Sequence, residues 1–229
     1  SREERPRRRR SFLVVGGERG GESPLFFTMI KSVSDDQNEI LRNILTLTNR
    51  SSFDADISYG NGSFYKHVSK PSLRYDIDPQ SSDVMQACST RLPLMDCSLS
   101  SVVFDPPFLT YVRNGRSGNG DMVMSKRYGG YWRYDELEEH YKKTITEVHR
   151  ILQPKGVFVF KCQDIIHNHK MHPTHINVVN WCENKFRLRD MFILTAKHRM
   201  NVPQQIGAAK RVQKHARMFH AYFLVLEKT

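Results

Sequence analysis

Near the middle of the chain runs Ser101-Val102-Val103-Phe104-Asp105-Pro106-Pro107-Phe108. The first four residues have the composition of a buried strand. The strand stops at an acid, two prolines and an aromatic ring. Proline fixes φ and carries no N–H, so the turn is stiff and its carbonyls point outward. A carboxylate, a rigid carbonyl and a flat ring therefore stand together at one edge of a sheet. Those groups are what a planar amine, such as the exocyclic amino group of a nucleobase, needs in order to be held.

Two further elements precede this turn. A short strand, 53–57, leads into Asp56-Ile57-Ser58-Tyr59-Gly60-Asn61-Gly62-Ser63. Its glycines let backbone approach a ligand at the carboxyl end of a strand, where open α/β sheets bind small molecules. A second strand, 73–77, ends in Asp76-Ile77-Asp78-Pro79. An acid about twenty residues after such a turn commonly accepts hydrogen bonds from ribose hydroxyls. Each signal alone is weak: Gly-x-Gly is more often only a turn, and an isolated acid more often a cap. Together, at this separation, they favour a nucleoside-containing cofactor. No Gly-Lys-Ser/Thr follows, so the turn is not a phosphate loop.

The rest of the chain alternates. Ser34-Asp35-Asp36-Gln37 is a capping-box-like start to a helix carrying Ile40, Leu41, Ile44, Leu45 and Leu47. Leu137, Tyr141, Ile145, Val148 and Leu152 recur at helical steps and predict an amphipathic helix over 134–152, stopped by Pro154-Lys155-Gly156. A buried strand follows at 157–161. Pro173 opens a helix reaching about Asn184. Two final strands, 187–196 and 219–226, have no helix between them and predict an antiparallel hairpin at the sheet edge. Strands alternating with helices imply a mostly parallel sheet covered on both faces.

Composition narrows the function classes. The chain has 229 residues and a formal net charge of +11, which points to a polyanionic partner. No apolar run is long enough to span a bilayer. The four cysteines, at 88, 97, 162 and 182, lack close pairing, which argues for a reduced, intracellular setting and a cytoplasmic location. Residues 1–28 read as a basic, disordered N-terminal extension. Arg7 to Leu13 resembles a twin-arginine export signal, but only Phe12 to Val15 follow before glycine and charge interrupt. Met29 begins the first fold-like pattern.

Glycine turn, ribose acid and Asp-Pro-Pro-Phe, in that order, resemble the S-adenosylmethionine-dependent amino-methyltransferases. The likeness is greatest to small phage-type and bacterial DNA methyltransferases of adenine-N6 or cytosine-N4 amino groups. It runs over 29–229, which would be the methyltransferase domain. It implies a Rossmann-like class I methyltransferase fold, with a mostly parallel seven-stranded sheet and an antiparallel C-terminal edge hairpin. It implies S-adenosyl-L-methionine as cofactor, held by Asp56, Ser58, Gly60, Gly62, Asp76 and Asp78. It makes Asp105, Pro106, Pro107 and Phe108 the catalytic turn. Asp105 and the Pro106 carbonyl would accept hydrogen bonds from the target amine, and Phe108 would stack on a base flipped out of the duplex. Ile57 and Ser58 stand where the family often has Pro and Phe. Cys88 and Ser89 stand where many relatives place an acid against the cofactor's adenine. Cytosine C5 chemistry needs a nucleophilic cysteine, usually in a Pro-Cys pair, and none occurs.

Basic segments flank this frame. The 109–133 loop carries Arg113, Arg116, Lys126, Arg127 and Tyr128, and the 197–217 segment carries Lys197, Arg199, Lys210, Arg211 and Lys214. They are candidate phosphate contacts to DNA. Composition does not separate DNA from RNA, nor the oligomeric state. His167, His169, His172 and His175 are read as a histidine-rich loop rather than a metal site. Asp164 or Gln163 lines the pocket or caps a neighbouring element. The acid at 105 leans towards adenine over cytosine by family analogy. RNA base methylation and a non-enzymatic nucleic-acid-binding module on the same fold are the alternatives.

Overall fold

The computed structural model describes residues 29–110, 130–196 and 214–229. Two compact units divide the chain, Ser1–Ile30 and Lys31–Thr229, and the second carries all the elements that follow. Helix α1 (Gln37–Leu47) starts where Asp36 accepts a hydrogen bond from the Asn38 N–H at 2.8 Å. Ser34 was the expected cap. Its hydroxyl instead accepts from the Asp36 N–H at 3.0 Å and fixes the true cap. The helix ends at Leu47, with Thr48 as its C-cap, and Asn49 just beyond takes a left-handed conformation, with φ 53°. Helix α2 (Tyr134–Ile151) buries Leu137, Tyr141, Ile145, Val148 and Ile151 on one stripe. Glu138–Lys142 and Glu139–Lys143 ion pairs ladder its solvent face. Helix α3 (Thr174–Trp181) follows Pro173 and stops short of Asn184, whose φ of 65° belongs to the turn beyond it.

The strands are β1 (Val33–Ser34), β2 (Ala55–Asp56), β3 (Leu73–Asp76), β4 (Met85–Gln86), β5 (Leu99–Phe104), β6 (Leu152–Cys162), β7 (Ile165–His167), β8 (Lys170–His172), β9 (Phe186–Thr195) and β10 (His220–Lys228). β7 and β8 form a separate hairpin between β6 and α3. The other eight make one sheet, in the order β1-β9-β10-β6-β5-β2-β3-β4. Every pairing in it is parallel except those of β10, which runs antiparallel to both β6 and β9. The sheet thus has eight strands rather than seven, β1 being a two-residue addition on β9.

The two final strands form the expected antiparallel hairpin at one side of the sheet, with only the two-residue β1 beyond β9, and the last strand lies between β6 and β9. The physical reason is visible in the side chains: Phe223, Leu224, Val225 and Leu226 are all buried, whereas Arg187, Leu188 and Arg189 of β9 are exposed. A near-continuous apolar strand needs cover on both faces and neighbours on both sides.

Both faces are covered, by α1 on one and by α2 and α3 on the other. The larger core joins Val102, Phe104, Phe158, Phe160, Leu224 and Leu226 to the apolar stripe of α2. Alternation sends Val103, Val159, Phe223 and Val225 to the α1 side, where Ile40, Leu41 and Ile44 are fully buried. Between β2 and β5 no α-helix forms among the described residues. After the glycine turn stands only a 3-10 turn, Ser63–Tyr65. The histidine-rich stretch is a tight hairpin, not a loop. Asn168 and His169 both have positive φ, 49° and 59°, as a two-residue primed turn demands.

Candidate active site

β2 and β5 are neighbours, yet the chain leaves β2 towards β3 and leaves β5 towards β6. The strand order therefore reverses between them, and the crevice beyond their carboxyl ends is where an open α/β sheet binds ligands. Ser58 follows β2 and Asp105 follows β5. The Ser58 hydroxyl accepts a hydrogen bond from the Asp105 N–H at 2.7 Å, so the glycine turn and the Asp-Pro-Pro-Phe turn are joined at the reversal point.

The two glycines are required for different reasons. Gly60 has φ +57°, and a Cβ there would meet nothing within 4 Å. Its glycine is a conformational need, and its face is open to a ligand. Gly62 has φ +74°, and a Cβ there would lie 2.7 Å from the Tyr59 hydroxyl oxygen, so this glycine also makes room for the protein's own ring. Asp76 is brought to the same turn. Its Oδ2 accepts from the Gly60 N–H at 2.7 Å and its Oδ1 from the Asp78 N–H at 2.9 Å. Asp78 is exposed and its side chain engages Gln80. Between the two acids, Ile77 is 69% exposed, a large apolar surface beside the open face of Gly60.

Asp56 lies beneath the turn, not in the crevice. It is 1% exposed, and its carboxyl accepts from the Ser58 N–H (2.8 Å), the Ser58 hydroxyl (3.2 Å) and the Tyr65 hydroxyl (2.7 Å). Burial is the largest influence on it and pushes its pKa up to about 7. Tyr65 is pushed well above the usual phenol range, again chiefly by burial. Asp56 thus reaches a ligand only through Ser58 and the turn it supports.

Asp105 retains an exposed fraction of 23% at its side chain. Its Oδ2 accepts from the Lys161 ammonium at 3.0 Å, and Oδ1 has no hydrogen-bond partner among the described residues. Lys161 also donates to the Gln37 side-chain oxygen at 2.9 Å and lies over the rings of Phe64 and Phe223. The Pro106 carbonyl accepts no hydrogen bond among the described residues, whereas the Pro107 carbonyl accepts from the Tyr141 hydroxyl at 3.1 Å. Phe108 is half-buried against the core.

Asp164 resolves to the capping alternative. Its Oδ1 accepts from the His175 N–H (3.2 Å) in the first turn of α3 and from His175 Nδ1 (2.7 Å), and its Oδ2 accepts from the Tyr222 hydroxyl (3.3 Å). Gln163 donates to the His220 carbonyl at 2.6 Å. Ser89 hydrogen-bonds His140 Nε2 at 2.8 Å and Thr144 at 3.0 Å, and the Tyr131 hydroxyl meets His140 Nδ1. Burial holds His140 below the usual imidazole range. The Tyr131 N–H donates to the Leu109 carbonyl at 2.9 Å, which joins the two ends of the segment between them.

Arg113, Arg116, Lys126, Arg127, Tyr128, Lys197, Arg199, Lys210 and Arg211 lie outside the described residues. Lys214 is described and exposed, and His215 beside it donates to the His169 carbonyl, which sets this segment against the β7–β8 hairpin. No group of three or more His, Cys, Asp or Glu side chains placed to hold a metal occurs among the described residues. No helix among them is long and apolar enough to cross a membrane. The residues that sequence reasoning missed are Lys161, Gln37, Tyr65 and Tyr141. A lysine inside the run Val157–Cys162 was the available signal, because a cation in a buried strand needs a partner.

Strand order and a site at the reversal point together define a Rossmann-like α/β protein of the class I methyltransferase fold. No family model matches the chain and no curated protein matches it. Among solved structures it is similar to TTHA0409 of Thermus thermophilus, a candidate DNA modification methylase solved with S-adenosyl-L-methionine. That likeness has 18% identity over 59% of this chain and 50% of the other, with a TM-score of 0.37. TrmN from Thermus thermophilus is 13% identical over 84% of this chain and 49% of its own, with a TM-score of 0.48. A chain from the complex between the Haloferax volcanii Trm112 methyltransferase activator and a candidate methyltransferase is 13% identical, covering 82% and 87%, with a TM-score of 0.46. The chain spans about half the length of TTHA0409 and of TrmN. The residues of the site, not these neighbours, carry the functional reading.

Proposed function

We propose that the protein is an S-adenosyl-L-methionine-dependent methyltransferase acting on the exocyclic amino group of adenine in DNA. The observation that carries this reading is the join at the reversal point: Ser58 of the glycine turn bonded to the backbone of Asp105, whose Oδ1 has no partner among the described residues. The residues fit the cofactor. Gly60 offers a backbone face with nothing within 4 Å of its would-be Cβ, and Ile77 offers exposed apolar area for a ring. Asp76 and Asp78 stand beside that face. The cofactor supplies a methyl group activated on a sulfonium.

The chain's own residues do the rest. An amino group conjugated to a heteroaromatic ring is a poor nucleophile because its lone pair is delocalised. Asp105 Oδ1 and the Pro106 carbonyl each accept a hydrogen bond from one of its N–H groups. This draws nitrogen towards tetrahedral geometry and favours the positive charge that grows as the bond forms. The proline pair keeps both acceptors fixed, so little reorganisation remains at the moment of reaction. Phe108 presents its ring to the base. A base within a duplex cannot enter such a crevice, so the target must leave the stack. The +11 charge supplies the attraction to the phosphate backbone.

The test is methyl incorporation from labelled cofactor into duplex DNA, single-stranded DNA and structured RNA, followed by base-level analysis. N6-methyladenine in DNA is the expected product. Label appearing only in RNA would overturn the substrate. Titration calorimetry showing no cofactor binding would favour the non-enzymatic module.

A further inference from the structure

Lys161 is the one buried ammonium in contact with the proposed catalytic turn among the described residues, and its geometry is demanding. Only 9% of the residue is exposed. Burying an ammonium costs several kcal/mol unless it is paired and hydrogen-bonded. Here the cation is met from three directions. Asp105 Oδ2 lies at 3.0 Å, Gln37 Oε1 at 2.9 Å, and the rings of Phe64 and Phe223 face it at 5.1 and 5.5 Å. Gln37 is itself held, since its amide nitrogen donates to the Phe64 carbonyl at 3.3 Å. The brace therefore runs from the first turn of α1, through β6, to the carboxylate after β5.

We propose that Lys161 is a positioning residue for methyl transfer: it takes Oδ2 of Asp105 and thereby fixes Oδ1 as the oxygen that meets the substrate amine. The proposal rests on the function assigned above. The backbone of Asp105 is already anchored through Ser58, so with Oδ2 held as well the carboxylate has no rotation left to make. Without the ammonium the carboxylate swings free.

The experiment compares wild type, Lys161→Met, Lys161→Arg, Gln37→Leu and Asp105→Ala, using unmethylated genomic duplex DNA and labelled S-adenosylmethionine. Each variant is checked for folding by circular dichroism and for cofactor affinity by calorimetry. Lys161→Met is expected to lower kcat by about a hundredfold, the scale of a misplaced reacting group, with cofactor affinity within about threefold of wild type. Lys161→Arg restores part of the rate. Gln37→Leu loosens the brace without removing the charge. It lowers kcat by about fivefold with cofactor affinity unchanged, and serves as the readout if Lys161→Met fails to fold.

A folded Lys161→Met enzyme with wild-type kcat overturns the positioning role, as does one whose loss of rate Lys161→Arg does not partly restore, and as does a wild-type Gln37→Leu enzyme if Lys161→Met is lost to misfolding. If wild type labels no amine in DNA, or Asp105→Ala still labels it at full rate, the reading of the site fails and takes the role of Lys161 with it. The two failures are thereby distinguished.

Discussion

Asp105 and Asp164 stand beyond the carboxyl ends of adjacent strands, β5 and β6, and they end in opposite states. Asp164 has a 4% exposed side chain with both oxygens engaged by the His175 backbone, the His175 ring and Tyr222. It is closed, and its partners tie α3 and β10 to β6. Asp105 is partly exposed, with one oxygen held by Lys161 and the other free of partners among the described residues. Two carboxylates on neighbouring strands have been given the two roles a buried-edge acid can take. Saturation makes a brace. Half-saturation makes a site, because an acceptor that is fixed but unsatisfied keeps its free energy for whatever arrives.

The contrast is broken most directly by Asp105→Ala. Methyl incorporation is expected to fall by about a thousandfold, the cost of deleting a preorganised polar group, while cofactor affinity changes little; the melting temperature falls as well, because the buried Lys161 ammonium loses its counter-charge. Wild-type turnover in that variant ends the comparison. Asp164→Ala should spare the chemistry. Loss of its hydrogen bonds is expected to destabilise the fold by about 2–3 kcal/mol in denaturant titration, with kcat retained in the protein that remains folded. Equal losses of kcat in the two folded variants would show that the division of roles is wrong.

Gly62→Ala and Gly60→Ala sharpen the picture at the glycine turn. Gly62→Ala meets the Tyr59 ring as well as a positive φ, and should cost about 2–3 kcal/mol of stability. Gly60→Ala faces open space and should cost only the conformational term, about 1 kcal/mol, while weakening cofactor binding measured by calorimetry. The smallest effect concerns pH. Asp56 has its pKa raised from 3.8 to about 7 by burial, so the folded state holds its proton over a range in which the unfolded chain has lost it. Its contribution is fully favourable below about pH 4, declines as pH rises to about 7, and is constant above. The stability of wild type relative to Asp56→Asn should therefore fall across pH 4–7 and then level off. A difference that is flat across that window would mean that Asp56 is not held in a dry environment.

The sequence displayed the elements that make contact with neighbours close in the chain. The amphipathic stripe of α2 and the three strand-end motifs followed from spacing alone, since side-chain periodicity is a local property. What escaped it was pairing. Nothing local says that β10 enters between β6 and β9, although Phe223 to Leu226 form an apolar run and β9 alternates with charge. Lys161 and Gln37 are 124 residues apart, and only the folded sheet shows that they share one ammonium. Asp56 carried a family expectation of ligand contact. The structure turns it inward, because Tyr65, nine residues on, returns over it through the 3-10 turn. The capping of Ser34 and Asp36 differs by two residues for a simpler reason: either side chain can serve as a cap, and tertiary packing chooses.

The hydrogen bond from the Tyr131 N–H to the Leu109 carbonyl has a consequence for how this frame can diversify. It pins departure and return of the intervening segment to one spot, a single residue past Phe108. Segment length is thereby uncoupled from the geometry of the catalytic turn. Lengthening a closed excursion twofold costs only about 0.6 kcal/mol. Insertions there leave Asp105 and its neighbours where they are, so under the proposed function target choice and chemistry would be free to evolve at separate rates.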